Sequence, residues 1–138
     1  MSSTIDQDDF AQLLEAARQQ EEPQRLLFVF AQRHLDAHAT AAQRASFERG
    51  EGGHLEPRLC VDKAASELES FAALVVESEQ TGQHWDIVFV GSLPGRAGIA
   101  PSTDEADQPL RFMVKAINEG RVGDFAAYDR EGRALTFT

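Results

Sequence analysis

The run Leu26-Leu27-Phe28-Val29-Phe30-Ala31 decides how this chain is read. It is apolar at every position, so it shows neither the two-residue alternation of a half-exposed strand nor the 3.6-residue stripe of a surface helix. It is also too short for a helix of its own. Such a run suits a strand buried on both faces, where every side chain meets protein. Ile87-Val88-Phe89-Val90, just after Trp85, has the same character, and Leu59-Cys60-Val61 is a shorter third run.

Helical patterns separate these runs. Asp6 can cap a first helix, with Ile5 and Phe10 as a hydrophobic staple and Phe10, Leu13, Leu14 and Ala17 on one apolar face, before Glu21-Glu22-Pro23 ends it. Thr40-Ala41-Ala42-Gln43 is a capping-box signal for a short helix to about Arg49, stopped by Gly50-Glu51-Gly52-Gly53. Asp62 can cap a third helix that buries Leu68, Phe71, Ala72 and Val75 and ends near Thr81-Gly82. After the Gly- and Pro-rich stretch Gly91 to Pro101, a fourth helix carries Leu110, Met113, Val114 and Ile117 and stops at Gly120. The C-terminus reads as a hairpin: Val122 to Tyr128, a turn at Asp129-Arg130-Glu131-Gly132, then Arg133 to Phe137.

Alternation of this kind predicts one α/β domain over residues 1–138. The expected architecture is a mostly parallel sheet of about five strands, with helices on both faces and a C-terminal antiparallel hairpin. Right-handed crossovers would make the strands starting near Leu26, Leu59 and Ile87 mutually parallel.

Composition bounds the class of protein. A chain of 138 residues, 42% hydrophobic and 26% charged, fits one globular domain. Cys60 is its one cysteine, which rules out an intrachain disulfide and a zinc cluster built on thiolates. The start, Met1-Ser2-Ser3-Thr4-Ile5-Asp6, has no basic region followed by an apolar run, and no stretch approaches the roughly 20 apolar residues of a membrane helix. A cytoplasmic address without membrane binding is expected.

The 13 Lys and Arg against 23 Asp and Glu leave a formal charge of −10, a field that repels nucleic acid and anionic lipid. The excess is concentrated. Residues 1–22 hold Asp6, Asp8, Asp9, Glu15, Glu21 and Glu22 against Arg18 alone, and residues 64–92 hold Glu67, Glu69, Glu77, Glu79 and Asp86 with no base. Solvated helix faces are the ordinary reading of such stretches; the alternative is an acidic face that docks a basic protein partner. A homodimer is a further arrangement open to such a module.

Five stretches carry a likeness: Pro23-Gln24-Arg25-Leu26-Leu27-Phe28-Val29-Phe30-Ala31, Gly50-Glu51-Gly52-Gly53, Cys60-Val61-Asp62-Lys63, Phe71-Ala72-Ala73-Leu74 and Ile87-Val88-Phe89-Val90. In these the chain resembles a small uncharacterised proteobacterial family whose members often carry the name ribonucleotide reductase subunit alpha. The stretches are core strands and helix, so the resemblance implies kinship and not chemistry. The reductase activity needs a radical-bearing cysteine and a separate redox pair inside a barrel several times larger, whereas Cys60 stands alone here.

Few residues point to chemistry. His34 and His38 have the four-residue spacing that places two imidazoles on one helix face for a metal, and His54 is a third candidate. They lack the glutamate of an HExxH motif and follow a strand, so solvated loop histidines are favoured and no metal is assigned; a chelator should leave the melting temperature unchanged. Gly91-Ser92-Leu93-Pro94-Gly95-Arg96-Ala97-Gly98 sits where a phosphate cradle would, but matches neither a P-loop nor a dinucleotide fingerprint. Cys60 reads as a core residue; a lowered thiol pKa at the start of the Asp62 helix is its functional alternative. No Asp or Glu spacing singles out an acid–base pair, and no catalytic residue or cofactor is assigned.

In a parallel sheet, ligands collect at the carboxyl ends of the strands. That rule selects Arg33, Lys63, Ser92 and Arg96, an anion-binding set, as the expected ligand site. The function expected first is a non-enzymatic cytoplasmic interaction or regulatory protein. The alternative is a small-ligand binder or enzyme that acts on an anionic metabolite or nucleotide at that edge.

Overall fold

A computed structural model describes residues 8–49 and 53–136. Its elements are α1 (Asp9–Arg18), β1 (Gln24–His34), α2 (Ala41–Glu48), β2 (His54–Ala64), α3 (Phe71–Glu79), β3 (Ile87–Pro94), α4 (Thr103–Asn118), β4 (Ala126–Tyr128) and β5 (Ala134–Leu135). The five strands form one sheet in the order β2-β1-β3-β4-β5. Every neighbouring pair is antiparallel. The expectation of a mostly parallel sheet is therefore overturned.

The reason lies in the first connection. To bring a chain back parallel, a helix must lay an apolar stripe along the sheet face. The Ala41–Glu48 helix has no such stripe, and none of its residues is buried. It stays at the end of the sheet, so the chain turns back and β2 pairs with β1 as a wide hairpin, Phe28 opposite Val61 and Val29 opposite Cys60. The next helix does have an apolar face: Phe71 and Leu74 are buried. It carries the chain past β1, so β3 runs in the direction of β2 yet pairs with β1 on its other side, Phe28 opposite Val90.

The central strand is covered on both faces. Leu26, Phe28 and Phe30 pack with Phe10 and Leu14 of α1, Phe71 and Leu74 of α3, Trp85, Val88, Val90 and Tyr128. The alternate residues Leu27, Val29 and Ala31 pack with Ile87, Phe89, and Ala106, Met113 and Ile117 of α4. Trp85, wholly buried, donates its indole N–H to Ser78 Oγ at 2.8 Å, and Ser78 in turn donates to the Val75 carbonyl at 2.6 Å.

Local start signals differ in part from expectation. Asp8 caps α1 by accepting from the Ala11 N–H at 2.7 Å; the Asp6 cap and the Ile5 side of the staple lie outside the described residues, as do Gly50-Glu51-Gly52 and Phe137. Thr40 and Gln43 form the reciprocal capping box of α2. Asp62 caps nothing: it lies within β2, and α3 starts at Phe71 with Ser70 as its cap. Among the described residues no helix is long and apolar enough to cross a membrane.

Candidate functional site

Antiparallel pairing separates Arg33 from the other residues expected to share a ligand. Lys63 and Ser92 both stand opposite Leu26, at the end where β1 begins. Arg33 lies seven positions further along β1, about 23 Å away at 3.3 Å per residue. The carboxyl end of β1 and those of β2 and β3 are at opposite edges of the sheet, so no single edge collects them.

Each of these residues also has structural work. The Arg33 guanidinium lies 4.0 Å from the centre of the Phe47 ring and donates to the Phe47 carbonyl at 3.1 Å, which ties α2 to the sheet end. Lys63 is paired with Glu77 of α3 at 2.7 Å. Ser92 donates to the Gln24 side chain at 2.6 Å.

Several N–H groups of the glycine-rich segment are taken up within the protein. Arg96 and Ile99 exchange two backbone hydrogen bonds of 2.9 Å across a tight turn whose centre, Ala97 and Gly98, has φ of 52° and 80°. The Gly98 N–H, which an anion would need, donates to the Glu22 carboxylate at 2.8 Å, and the Gly95 N–H donates to the Pro23 carbonyl at 2.9 Å. Arg96 itself is exposed, on an open cleft of about 680 Å³ that also presents the acids Asp104 and Glu105.

Cys60 is exposed, which corrects the core reading. It lies on the outermost strand, where a side chain has a neighbouring strand on one flank only. Partial burial raises its thiol pKa above the ordinary value, and Asp62 continues the strand instead of starting a helix there.

What the fold does assemble is an acidic face. The two acid-rich stretches of the sequence include α1 and α3, and both helices cover the same side of the sheet, although the acids of α3 itself, Glu77 and Glu79, are paired with Lys63 and Arg130. Between them runs an open groove of about 550 Å³, lined by Asp8, Glu15 and Arg18 of the first stretch and Glu69, Ser70 and Phe71 of the second. The one base there is committed: Arg18 donates to the Ala65 carbonyl at 3.1 Å and to the Leu68 carbonyl, which fastens α1 to the segment before α3. Among the described residues Glu69 has no hydrogen-bond or ion-pair partner, and Glu15 meets only the neighbouring Gln19 amide at 3.5 Å. The Arg18 donors are thus taken up by the groove wall, while Glu15 and Glu69 on its rim have no ion-pair partner among the described residues.

The structure also brings together two of the three candidate histidines, with a glutamate that the sequence did not single out. His34 faces His54 across β1 and β2, with Glu56 beside them, while His38 stays in the following loop with its N–H on Asp36. A one-residue register shift brings the histidines together, and no local motif announces it.

Comparison with protein-family models, curated proteins and solved structures finds no match.

Proposed function

We propose that this chain is a non-enzymatic cytoplasmic interaction module that offers its α1/α3 face to a basic segment of a partner protein. The convergence of two separate acidic stretches on one groove, with Arg18 spent on holding its walls, is the observation that carries this reading. A basic segment lying there would meet Glu15 and Glu69 on opposite rims. Kinship with the small proteobacterial family is part of the same proposal, and four of the five stretches that suggest it fall at β1, β2, α3 and β3.

The sheet edge is a poorer place for a partner, or for a second copy of the chain. The open strand β2 carries Pro57, and Arg58 bulges out of its register; both features interrupt a continuous row of donors and acceptors. The alternative of an anionic ligand at the strand ends loses Arg33, which lies at the other end of the sheet, and is left with Lys63 and Ser92 on either side of Leu26, already bonded to Glu77 and Gln24.

The test is affinity purification of the tagged protein from cells, followed by native mass spectrometry. A stoichiometric protein should be recovered by the wild type and by Asp107→Lys on α4, and lost with Glu15→Lys/Glu69→Lys. Recovery should weaken as salt rises, as expected for exposed charge pairs. A partner that survives the double reversal refutes the proposal, and so does a stoichiometric small molecule in place of a protein.

A further inference from the structure

At the opposite end of the sheet from the start of β1, three side chains with metal-binding chemistry converge. His34 is the last residue of β1 and His54 the first of β2, and they form a cross-strand pair. Their rings lie 4.9 Å apart, centre to centre, at 63°. Glu56 follows two positions after His54, so it projects to the same side of β2. One donor atom from each of the three lies within 4.8 Å of the other two.

A single backbone irregularity creates this arrangement. Phe30 stands opposite Leu59, but Ala31 stands opposite Pro57, so Arg58 is skipped. Without that extra residue His34 would face Leu55. With it, His34 faces His54, and the metal-binding groups fall on one side of the sheet. Gly53 makes the entry to β2: its φ is 74°, and a Cβ there would lie 2.7 Å from the His34 carbonyl oxygen.

We propose that His34, His54 and Glu56 bind one divalent transition-metal ion, with Zn²⁺ the best fit. Two neutral imidazoles and one carboxylate are donors of the borderline softness that zinc takes, whereas Mg²⁺ and Ca²⁺ require mainly oxygen. Bonds of about 2.0–2.1 Å around a tetrahedral ion place its ligand atoms about 3.4 Å apart. Closing from 4.8 Å therefore asks only for small rotations of side chains. Both histidines are exposed and Glu56 is half-buried, so room for these rotations exists. Glu56 would give up its 3.4 Å pairing with Arg58, an exposed ion pair of small net worth, and Arg58 would keep its two hydrogen bonds to Gln32. The complex would carry a charge of +1 on a protein of −10, a favourable sign. Its fourth position would be left to water, beside the open cleft of about 470 Å³ that His54 lines with Asp36, Gln43 and Ser46.

The experiment is titration of the metal-free full chain with Zn²⁺ by calorimetry and with Co²⁺ by visible absorption, in wild type, His34→Ala, His54→Ala, Glu56→Gln and His38→Ala. The wild type should bind one ion, and Co²⁺ should give the intense visible bands of a four-coordinate site. His34→Ala and His54→Ala should each weaken binding at least about tenfold and Glu56→Gln should weaken it less, while His38→Ala should match the wild type. These side chains lie at the surface, and far-UV circular dichroism establishes that each variant is folded. Failure of the folded wild type to bind either ion stoichiometrically overturns the proposal. Binding that survives His54→Ala, or that His38→Ala removes, overturns it equally. None of these outcomes bears on the α1/α3 face.

Discussion

Phe10→Ala is the sharpest test of how the N-terminal helix is held. Phe10 is wholly buried, and its ring sits 6.0 Å from Phe28, 5.2 Å from Phe71 and 5.4 Å from Tyr128, so one side chain joins α1 to β1, α3 and β4. Truncation removes its apolar transfer energy and leaves a cavity among rigid aromatic neighbours, a loss of about 3–5 kcal/mol. The lost edge and tilted ring contacts place the effect in the upper part of that range. A domain of this size has about 5–15 kcal/mol in all, so the variant should stay folded but lose a large fraction of its margin. The melting temperature should fall by roughly 14–17 °C. Urea unfolding followed by tryptophan fluorescence suits the measurement, because Trp85 is the chain's one tryptophan and lies in the same core cluster. Far-UV circular dichroism should give a coincident transition. Phe112→Ala, at a side chain 59% exposed, is the control and should change stability by less than about 0.5 kcal/mol. A loss below about 1.5 kcal/mol for Phe10→Ala, or one equal to the control, would refute the docking of α1 through this ring.

Three further outcomes follow from the packing. A Cβ at Gly95 would lie 2.2 Å from the Ile99 carbonyl oxygen and 2.9 Å from that of Pro23, so Gly95→Ala should cost about 2 kcal/mol or more in urea unfolding; Gly123→Ala, with open space, should be neutral or stabilising by up to about 1 kcal/mol. Arg25 pairs with Asp62 at 2.6 Å, and both bond to Thr103 at the start of α4, at 2.8 and 3.0 Å. Arg25→Ala and Asp62→Ala should each cost about 1–3 kcal/mol, and the double variant should lose less than the sum of the two. Burial, then the charges of Asp9 and Asp8, raise the pKa of Tyr128 above its ordinary value. The folded state therefore prefers the neutral phenol, and that preference is fully present below the unfolded pKa near 10 and is lost as pH rises through the folded one. Tyr128 is the chain's one tyrosine, so an ultraviolet titration that finds it ionising at or below the unfolded value would contradict its placement.

Much of this protein was legible in single segments. The buried strands at Leu26 and Ile87, the apolar face of α1 and the Thr40–Gln43 capping box all rest on interactions within about four residues, or on the simple rule that a fully apolar run must be covered. The clustering of acids and the lone cysteine followed from the sequence as well. Strand direction did not. A strand buried on both faces has the same composition in a parallel and an antiparallel sheet, and the deciding fact was the missing apolar stripe on α2, a property of the connection and not of the strands. Everything built on direction changed with it: Arg33 parted from Lys63 and Ser92, and Asp62 moved from a helix cap to a latch on Arg25.

The sequence by itself determined the two fully buried strands, the apolar face of α1 and the sign of the surface, but not the length of β2, the start of α3 or the exposure of Cys60. Only the tertiary structure decided which distant residues meet. His34 and His54 face one another because Arg58 is skipped between Ala31 and Phe30, and α1 lies beside α3 because Phe10 and Arg18 dock there. Local propensity acts over one turn or one pleat. Register and helix placement are settled by the packing of the whole core, where one bulged residue shifts every contact beyond it.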